Sequence, residues 1–475
     1  MANLILPGNP RYQPEELVSF FGYDNLFRTF AQVEIEVMKT LGDLGVISED
    51  DLKDLTPEVA QKIMDIPTAA VDKVEREITK HDVRAWVRIT QEIIGPKLAR
   101  WVHVPLTSYD ALDTARILQF CLAYRLAIKP ALKEFVKIFI GLVKKFAGTL
   151  QIARTHGQHA LPITAGFWLA TILSRVVCNW KKIDEFCDEL TGKISGAVGA
   201  YNAQGGLNFP PNFEELVLAK LGLKPAKIST QILPPEPLAY FLFSCTMLSA
   251  SLGQFGRDCR NLMRTEIGEI SEPFEIGQVG SSTMPHKRNP INFENLEGMW
   301  IRNKNEFGKV MDVIISEHQR DLIGSSVARD FPIILVNLQT QLNNMLRKDK
   351  NNVPFLERIS VNEEACQKNF EMSAKVILAE PLYIALQMAG YQKDAHKLVN
   401  NILVPIATRE KIHLVSALSL WANKDEEIEN VCDKIPQEVW ELLHSPEDYT
   451  GRAQEKALEI ADYAQNWINS FQPAE

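Results

Sequence analysis

The sequence lacks the features that mark several large classes of protein. Its seven cysteines are scattered without a C-x-x-C pair, so neither a disulfide framework nor a cysteine-rich metal site is indicated. No uninterrupted apolar run approaches the roughly 20 residues that span a bilayer. Pro7 and Pro10 interrupt the apolar start of the chain, so a signal peptide is not predicted. These absences predict a reduced protein of the cytoplasm that does not enter a membrane.

Cofactor motifs are missing as well. The sequence contains no glycine-rich phosphate loop and no nicotinamide-binding fingerprint. His81 and Asp82 are adjacent, and His156 and His159 lack acidic or thiol companions at the spacing of metal ligands. We therefore expect neither a metal site nor any other cofactor.

The composition is that of an ordinary globular protein. Hydrophobic residues make up 46% of the 475 residues and charged residues 23%, close to the average of folded domains. The length suggests about three folding units of about 150 residues each. The formal net charge of -9 disfavours a nucleic acid as partner, because its backbone is polyanionic. A small phosphorylated ligand remains compatible, since it needs only a few local cations.

Helical periodicity dominates the middle of the chain. Apolar residues at alternating spacings of four and three predict one stripe along a long helix; they are Phe241, Cys245, Leu248, Leu252, Phe255, Cys259 and Leu262. A second apolar run, Leu132 to Phe146, follows Pro130, which suits the first turn of a helix. The stripe packs either inside the chain, which is the commoner case, or against a second copy.

Breaks in this periodicity divide the chain. Residues 205–212, 232–237 and 347–354 are rich in Gly, Pro or Asn, which interrupt regular structure. There is no internal repeat and no convincing series of alternating strands, so we predict an all-α fold built on a central long-helix bundle. The predicted domains are an N-terminal helical domain at 1–108, the central bundle at 109–360, and a C-terminal helical domain at 361–475.

Reactive and anion-binding residues crowd the segment EIGQVGSSTMPHKRNPINFEN at 275–295. Its glycines and prolines forbid a regular helix through residues 275–290, so these form a loop. Such a loop is either an ordinary solvated surface segment or a flap over a charged ligand.

The string GSSTMPHKRNP in this loop resembles the signature loop of the aspartase/fumarase superfamily, whose members eliminate fumarate from succinyl-type substrates. Further blocks agree in order and resemble the adenylosuccinate lyases within that superfamily. These blocks are RY at 11–12, TKHDVRA at 79–85, LTSYDALDTA at 106–115, RTHGQHALPIT at 154–164, GKISGAVG at 192–199, STQ at 229–231 and RDLIGSSVAR at 320–329. The RY and HDV blocks discriminate best, because other members of the superfamily are not expected to carry both.

The resemblance implies a three-domain chain whose long helices form the core of a homotetramer with active sites shared between subunits. It implies β-elimination of fumarate from adenylosuccinate to give AMP. It further implies cleavage of the succinyl-aminoimidazole-carboxamide ribotide in de novo purine biosynthesis. The partner would then be a small nucleotide, and no cofactor is needed.

The chemistry of this elimination explains which residue types are needed. Loss of a proton from the carbon beside a carboxylate leaves a dianionic carbanion. Its stabilisation requires preorganised cations and hydrogen-bond donors. Lys287 and Asn289, two residues apart in the loop, are suited to bind that carboxylate. The resemblance assigns Ser281 as the base, which must act as an alkoxide. His156 would protonate the leaving nitrogen, and Glu294 would orient that histidine.

The resemblance also implies one more catalytic residue, His81, and a set of residues that bind the substrate. His81 matches a second active-site histidine on the phosphate side, and Arg11 with Tyr12 resembles the pair that engages the phosphate. Arginine suits this role because its planar fork holds two oxygens at once. The full set of implied binding residues is Arg11, Tyr12, Asp82, Thr107, Ser108, Thr155, Gln231, Arg320, Ser325 and Arg329.

The chain departs from the pattern of these lyases after STQ. Pro235 and Pro237 stand where basic residues are frequent, and Gln319 and Ala328 replace expected acidic residues. These departures leave room for another member of the superfamily, such as a 3-carboxy-cis,cis-muconate cycloisomerase. A non-catalytic helical scaffold that retains the fold is a further alternative.

Overall fold

The computed structural model describes residues 5–275 and 277–471, and α-helices dominate it, which confirms the all-α prediction. The helices of the first part are α1 (Val18–Phe21), α2 (Arg28–Asp43), α3 (Glu49–Leu52), α4 (Pro57–Met64), α5 (Thr68–Val74), α6 (Asp82–Ile94), α7 (Pro96–Ala99) and α8 (Ser108–Ala123). Those of the middle are α9 (Lys129–Lys145), α10 (Ala165–Asp188), α11 (Asn202–Gly206), α12 (Phe213–Lys220), α13 (Glu236–Leu262), α14 (Ile291–Asp312), α15 (Ile323–Val327) and α16 (Pro332–Leu346).

Shorter helices make up the last part of the chain. They are α17 (Glu363–Glu371), α18 (Ala379–Met388), α19 (Ala395–Leu398), α20 (Val404–Glu410), α21 (Leu414–Ala422), α22 (Glu426–Cys432), α23 (Gln437–His444) and α24 (Ala453–Asn469). Single turns of 3-10 helix lie at Glu15–Leu17, Tyr23–Asn25, Ala328–Asp330, Leu356–Arg358 and Pro446–Asp448, and π-helical turns at Glu75–Thr79, Tyr124–Ile128 and Val399–Leu403.

Strands are short and paired two by two. Strands β1 (Leu150–Thr155) and β2 (Gln158–Thr164) form an antiparallel hairpin. Two-residue pairs join β3 (Thr191–Gly192) to β4 (Lys224–Pro225) in parallel, and β5 (Ile270–Ser271) to β6 (Ser360–Val361) antiparallel. The hairpin was not predicted from the sequence, although it carries one of the blocks on which the resemblance rests.

Pro130 does not begin a helix, contrary to our expectation. Helix α8 continues through the π-helical turn Tyr124–Ile128 directly into α9. The π turn pairs the Lys129 amide with the carbonyl of Tyr124, and a local change of this kind accommodates a proline without ending the helix.

The described residues pack into two compact units. The first unit takes its residues from Met1–Glu134, Cys178–Gly253 and Asn295–Leu346, and the second from Phe135–Val177, Gln254–Glu294 and Arg347–Glu475. This grouping follows spatial packing, whereas the division at 108 and 360 follows chain order and stays a prediction.

The apolar stripe of α13 lies in the interior. Six of its seven residues, from Phe241 to Cys259, are fully buried, which confirms the intramolecular reading. By length and composition α13 could cross a membrane, but 67% of its most apolar window is buried, as in the core helix of a soluble protein. Another face of the same helix stays uncovered, where Tyr240, Phe243 and Met247 are 53%, 46% and 38% exposed.

Candidate active site

A cavity of about 880 Å³ in the first unit collects most of the predicted binding residues. The residues from distant blocks that line it are His81, Asp82, Thr107, Ser108, Gln231, Arg320, Ser325 and Arg329. They come from the start of α6, the start of α8, the loop before α13 and the segment before α16. Folding therefore brings together residues that are up to about 250 positions apart in the sequence.

Arg320 is the centre of a fixed hydrogen-bond network on one wall of this cavity. Its guanidinium donates to Gln231 Oε1 at 2.9 Å and to Ser325 Oγ at 3.0 Å. The same guanidinium stacks on the Tyr109 ring, with its carbon 3.4 Å from the ring centre. Tyr109 also hydrogen-bonds Ser325 through its hydroxyl. Three predicted binding residues are thus locked to one another before any ligand arrives.

Asp110, which was not among the predicted site residues, holds the turn that carries Thr107 and Ser108. Its carboxylate accepts the Thr107 amide at 2.8 Å in a capping box, which begins α8. The other oxygen accepts the amides of Ser195 and Gly196, both at 3.1 Å, and pairs with the ammonium of Lys193. Both members of this ion pair are fully buried, so neither could be replaced without leaving an uncompensated charge.

His81 and Asp82 form the start of α6 at the cavity edge. His81 Nδ1 lies 3.2 Å from Asp82 Oδ1 and 3.5 Å from the Arg84 amide, which it caps. The preceding Lys80 has a left-handed backbone with φ of 52°, a conformation that non-glycine residues seldom adopt. This local bend turns the histidine block toward the cavity, which Lys80 also lines.

The predicted phosphate pair is placed differently from the other binding residues. Arg11 and Tyr12 do not belong to the described cavity lining, although Ile5, Leu6 and Pro7 of the same N-terminal segment do. Arg11 is exposed, and the Tyr12 ring packs under the guanidinium of Arg302 at 5.7 Å. Within this unit, the structure does not bring the pair to the cavity.

His156 occupies the tip of the β1–β2 hairpin in the second unit. His156 and Gly157 form its two-residue loop and have φ of 54° and 78°, the pattern of a type I′ turn. Histidine tolerates this conformation poorly compared with glycine, and such strain concentrates at functional sites. His156 and the predicted Thr155 are both exposed. Among residues 5–275 and 277–471, no hydrogen bond or ion pair engages the His156 imidazole.

The buried carboxylate of Glu269 holds the base of the hairpin in place through hydrogen bonds. Glu269 is fully buried and accepts from Gln151 at 2.8 Å, Arg154 at 2.6 Å and Asn369 at 2.8 Å. His159 hydrogen-bonds Ser373 at 2.8 Å, and burial together with the nearby Arg154 charge lowers the pKa of this histidine. His159 is therefore engaged within the fold, whereas the His156 imidazole has no hydrogen bond or ion pair among the described residues.

Ser281 sits in the predicted loop, in which residues 277–290 form neither helix nor strand and residue 276 lies outside the described residues. Its Oγ accepts the backbone amides of Met284 at 3.1 Å and Thr283 at 3.4 Å. Donors aimed at an oxygen favour its ionised form. The geometry thus suits a serine that must carry negative charge.

The same loop is closed on itself around Gly280. Asn289 Nδ2 donates to the Gly280 carbonyl at 3.0 Å, and a Cβ on Gly280 would lie 2.2 Å from the Lys287 carbonyl oxygen. Only glycine allows this approach. The Lys287 side chain is exposed, so its charge is available to a ligand, whereas Asn289 braces the loop.

Glu294 lies in the first turn of α14, which begins where the loop ends. Glu272 caps this helix, accepting the amides of Asn292 at 2.8 Å and Phe293 at 2.9 Å, while burial raises the pKa of the Glu272 carboxyl. Glu294 is exposed, and within the described residues its carboxylate has no hydrogen bond to His156. No cluster of three metal-ligating side chains occurs in these residues.

Comparison with known proteins shows the family to which the chain belongs. A family model described as lyase matches residues 30–302. The adenylosuccinate lyase of Pyrococcus horikoshii is 33% identical over 464 residues, which cover 97% of this chain and 98% of that protein. The adenylosuccinate lyase of Thermotoga maritima is 32% identical over 439 residues, covering 91% of this chain and 95% of its own length.

Solved structures agree on the fold. The 3-carboxy-cis,cis-muconate lactonizing enzyme of Pseudomonas putida superposes with a TM-score of 0.79 at 25% identity, covering 96% of this chain and 98% of that chain. A fumarate lyase from Mesorhizobium sp. BNC1 has a TM-score of 0.77 at 21% identity, covering 95% of this chain and 98% of its own. Fold and family model together define a lyase, and hence an enzyme, of the aspartase/fumarase superfamily. Within that superfamily the chain belongs to the adenylosuccinate lyase family.

Proposed function

We propose that the chain eliminates fumarate from adenylosuccinate to give AMP. We further propose that it cleaves the succinyl-aminoimidazole-carboxamide ribotide in cytoplasmic de novo purine biosynthesis. Its relatives carry the name adenylosuccinate lyase. The observation that carries the proposal is the convergence of eight predicted site residues, His81 and seven of the ten binding residues, on one cavity, because unrelated surface residues would not meet there.

Ser281 is the proposed base. Its hydroxyl proton must be lost before it can take the proton beside the succinyl carboxylate, and the amides of Thr283 and Met284 stabilise the resulting alkoxide. The dianionic intermediate then needs positive charge, which the exposed Lys287 ammonium supplies. For Asn289 to join in, its amide must leave the Gly280 carbonyl, so the loop must rearrange on closure.

His156 is the proposed general acid. As the C–N bond breaks, the imidazolium donates its proton to the leaving nitrogen, which prevents an unstable anion from forming there. A carboxylate beside the other ring nitrogen would fix the tautomer and raise the basicity, which is the role proposed for Glu294. The exposed hairpin tip presents the imidazole without competing partners.

Different substrate-binding residues are proposed to contact the carboxylates and the phosphate of the ligand. Thr107 and Ser108, and Thr155 of the second unit, are proposed to hydrogen-bond the succinyl carboxylates, with Gln231 nearby. Arg320, Ser325 and Arg329 add further contacts, and the phosphate is proposed to engage Arg11, Tyr12 and His81, with Asp82 beside that histidine.

A homotetramer with shared sites is part of the proposal. Two features support it. The imidazole of His156 and the carboxylate of Glu294 lack partners in the described part of a single chain. In addition, α13 keeps an uncovered apolar face through Tyr240, Phe243 and Met247, and exposed apolar surface on a long helix favours association.

Turnover tests the reaction directly. The purified protein is incubated with adenylosuccinate and, separately, with the succinyl-carboxamide ribotide, and the ultraviolet absorbance is followed as fumarate leaves. We expect turnover of both substrates. Activity on 3-carboxy-cis,cis-muconate without turnover of either nucleotide would reverse the assignment toward the cycloisomerases of the superfamily.

Complementation tests the shared site. Ser281→Ala and His156→Ala are each expected to be inactive, and mixed oligomers of the two should regain part of the wild-type activity because some sites then contain both intact residues. The matched control mixes Ser281→Ala with Ser281→Ala/His156→Ala, which cannot restore any site. Mixed oligomers that form but stay inactive would contradict shared sites.

A further inference from the structure

The proposed reaction leaves the buried carboxylate of Glu269 without a role. Its two oxygens accept hydrogen bonds from three side chains on two other elements, Gln151 and Arg154 of β1 and Asn369 of α17. In the ion pair with Arg154, the side chains of Glu269 and Arg154 are 0% and 15% exposed. Charge-assisted bonds of this kind are strong where water is excluded, so Glu269 holds its partners firmly.

These bonds reach the part of the hairpin next to its tip. Arg154 is paired with His159 across the hairpin and lies two residues before His156. On the opposite strand, His159 is held by Ser373 at 2.8 Å. Both strands are therefore anchored close to the turn that carries the imidazole of His156.

The hairpin is irregular at the same level. Its register shifts between Ile152 and Arg154, and an irregularity of this kind increases the local twist of the strands. Gln151 and Arg154 are three positions apart, so in a regular strand they would point to opposite faces. Both reach Glu269 nevertheless. The carboxylate thus holds the twisted shape of the hairpin as well as its position.

The backbone of Glu269 begins the stem, residues 269–275, of the loop that carries Ser281. Its amide donates to the Leu262 carbonyl at 3.0 Å, and its carbonyl accepts the Asn362 amide at 2.8 Å. Strand β5 follows at the next residue. The backbone of Glu269 is thus fixed in the stem while its side chain holds the hairpin, so one residue joins the element of the proposed acid to the element of the proposed base.

We propose that Glu269 is a positioning residue of the reaction, which fixes the hairpin that carries His156 against the stem of the loop that carries Ser281. This assignment rests on the proposed function. Being fully buried, Glu269 acts on the imidazole through Arg154 and β1. A general acid must come within hydrogen-bond reach of the leaving nitrogen, and a misplacement of about 1 Å can lower a rate by about a hundredfold.

The argument is the same for an active site shared between subunits. A hairpin that reaches the site of a neighbouring chain does so only from a fixed place in its own chain. Loosening the hairpin should therefore lower kcat much more than the affinity for a ligand held in the cavity of the first unit.

Glu269→Gln in the full-length protein tests the assignment, because it removes the negative charge and keeps the size of the side chain. We expect kcat on adenylosuccinate to fall by about ten- to a hundredfold, and the affinity for AMP to change by less than about twofold. Hydrogen exchange of the backbone amides at 150–164 should rise, since the hairpin loses its ionic bond. The matched control is Lys144→Gln, which breaks an exposed pair with Asp462 in the same unit and should change none of these quantities.

A second variant separates positioning from stability. Glu269→Gln leaves the charge of Arg154 without its partner, so the midpoint of thermal unfolding should fall. Glu269→Gln/Arg154→Met also removes that charge, and replacing both members of a buried pair by uncharged residues is often neutral. The midpoint should therefore recover in the double variant, whereas kcat should stay low because the hairpin is still not held.

Three results would overturn the assignment: a kcat that recovers together with the midpoint, a folded Glu269→Gln variant with the kcat of the wild type, or unchanged hydrogen exchange at 150–164. If the wild type turns over neither nucleotide, the proposed reaction fails. Hydrogen exchange in Glu269→Gln still shows in that case whether Glu269 holds the hairpin.

Discussion

The two units of this lyase present their predicted functional residues in opposite ways. In the first unit, Gln231, Arg320 and Ser325 are hydrogen-bonded to one another on the wall of a cavity. In the second unit, His156 stands exposed at a hairpin tip and Ser281 in an irregular loop. The predicted binding residues are thus fixed to one another, whereas the His156 imidazole has no hydrogen bond or ion pair among the described residues and Ser281 Oγ accepts two backbone amides of its own loop.

This difference has a physical reason. Binding a highly charged ligand gains from donors whose orientation has already been fixed, because less side-chain freedom is lost on association. A base and an acid must instead change their hydrogen bonds during the reaction, so strong fixed partners would hold them back. The strained turn at His156 and the close approach at Gly280 fix the backbone. The Ser281 and Asn289 side chains bond to backbone atoms of their own loop, so a rearrangement of that loop would change these bonds.

The largest effect should come from the serine itself. Ser281→Ala removes the proposed base, so we expect kcat to fall by about a hundredfold to ten-thousandfold, while AMP binding is retained. Ser282→Ala is the matched control, since its hydroxyl is exposed and, within the described part of the chain, hydrogen-bonds only Thr283, at 3.4 Å. Steady-state kinetics and calorimetry measure the two quantities. If the affinity for AMP fell by as large a factor as kcat, Ser281 would contribute to ligand binding as well as to the reaction.

The buried ion pair of the first unit should give the next largest effect. Lys193→Met leaves the Asp110 carboxylate buried without its cation, so we expect the free energy of unfolding to fall by about 3 to 5 kcal/mol. The turn at Thr107 and Ser108 should loosen and KM should rise. Lys220→Met is the control, because its pair with Asp43 is largely exposed. Chemical denaturation measures the free energy of unfolding. Equal losses of this free energy in Lys193→Met and Lys220→Met would show that the buried pair of Asp110 stabilises the fold no more than an exposed pair.

The hairpin tip allows backbone strain to be separated from chemistry. Gly157→Ala places a side chain at φ of 78° with no atom within 4 Å, so only the conformation is penalised, by about 1 to 2 kcal/mol. Gly45→Ala meets the same conditions at φ of 71°. Both variants should lose similar stability in thermal unfolding, but only Gly157→Ala should lower kcat. Equal activities would mean that the hairpin does not position His156.

Much of this architecture could be predicted from local patterns. The stripe from Phe241 to Cys259 predicted a long buried helix, because burial on one face produces a helical period. The glycines and prolines between 277 and 290 predicted an irregular loop, since these residues exclude regular structure. The blocks that line the cavity followed from the resemblance and not from periodicity.

The parts that were missed depend on contacts between distant residues or on an unusual turn. Asp110 and Lys193 are far apart in sequence, and neither residue alone indicates a buried pair. The β1–β2 hairpin turns at His156–Gly157, whereas the familiar turn signal is Asn-Gly. The glycine at 157 was the clue that the sequence offered for a tight turn. The prediction that a helix begins at Pro130 was wrong because the preceding π-helical turn, which depends on the surrounding packing, accommodates a proline within a continuous helix.

The smallest effect concerns pH and the base of the hairpin. Burial and the Arg154 charge lower the pKa of His159 in the folded chain. The ordinary pKa of a histidine is about 6.5. Below about that pH, His159 of the unfolded chain binds a proton that His159 of the folded chain does not. The free energy of unfolding should therefore fall as the pH drops below that value, until the folded pKa is reached. His159→Gln should flatten this part of the stability curve between about pH 5 and 7.5 in thermal unfolding, whereas substitution of the exposed His413 should not. A wild-type advantage that grows toward low pH would contradict the sign of the shift.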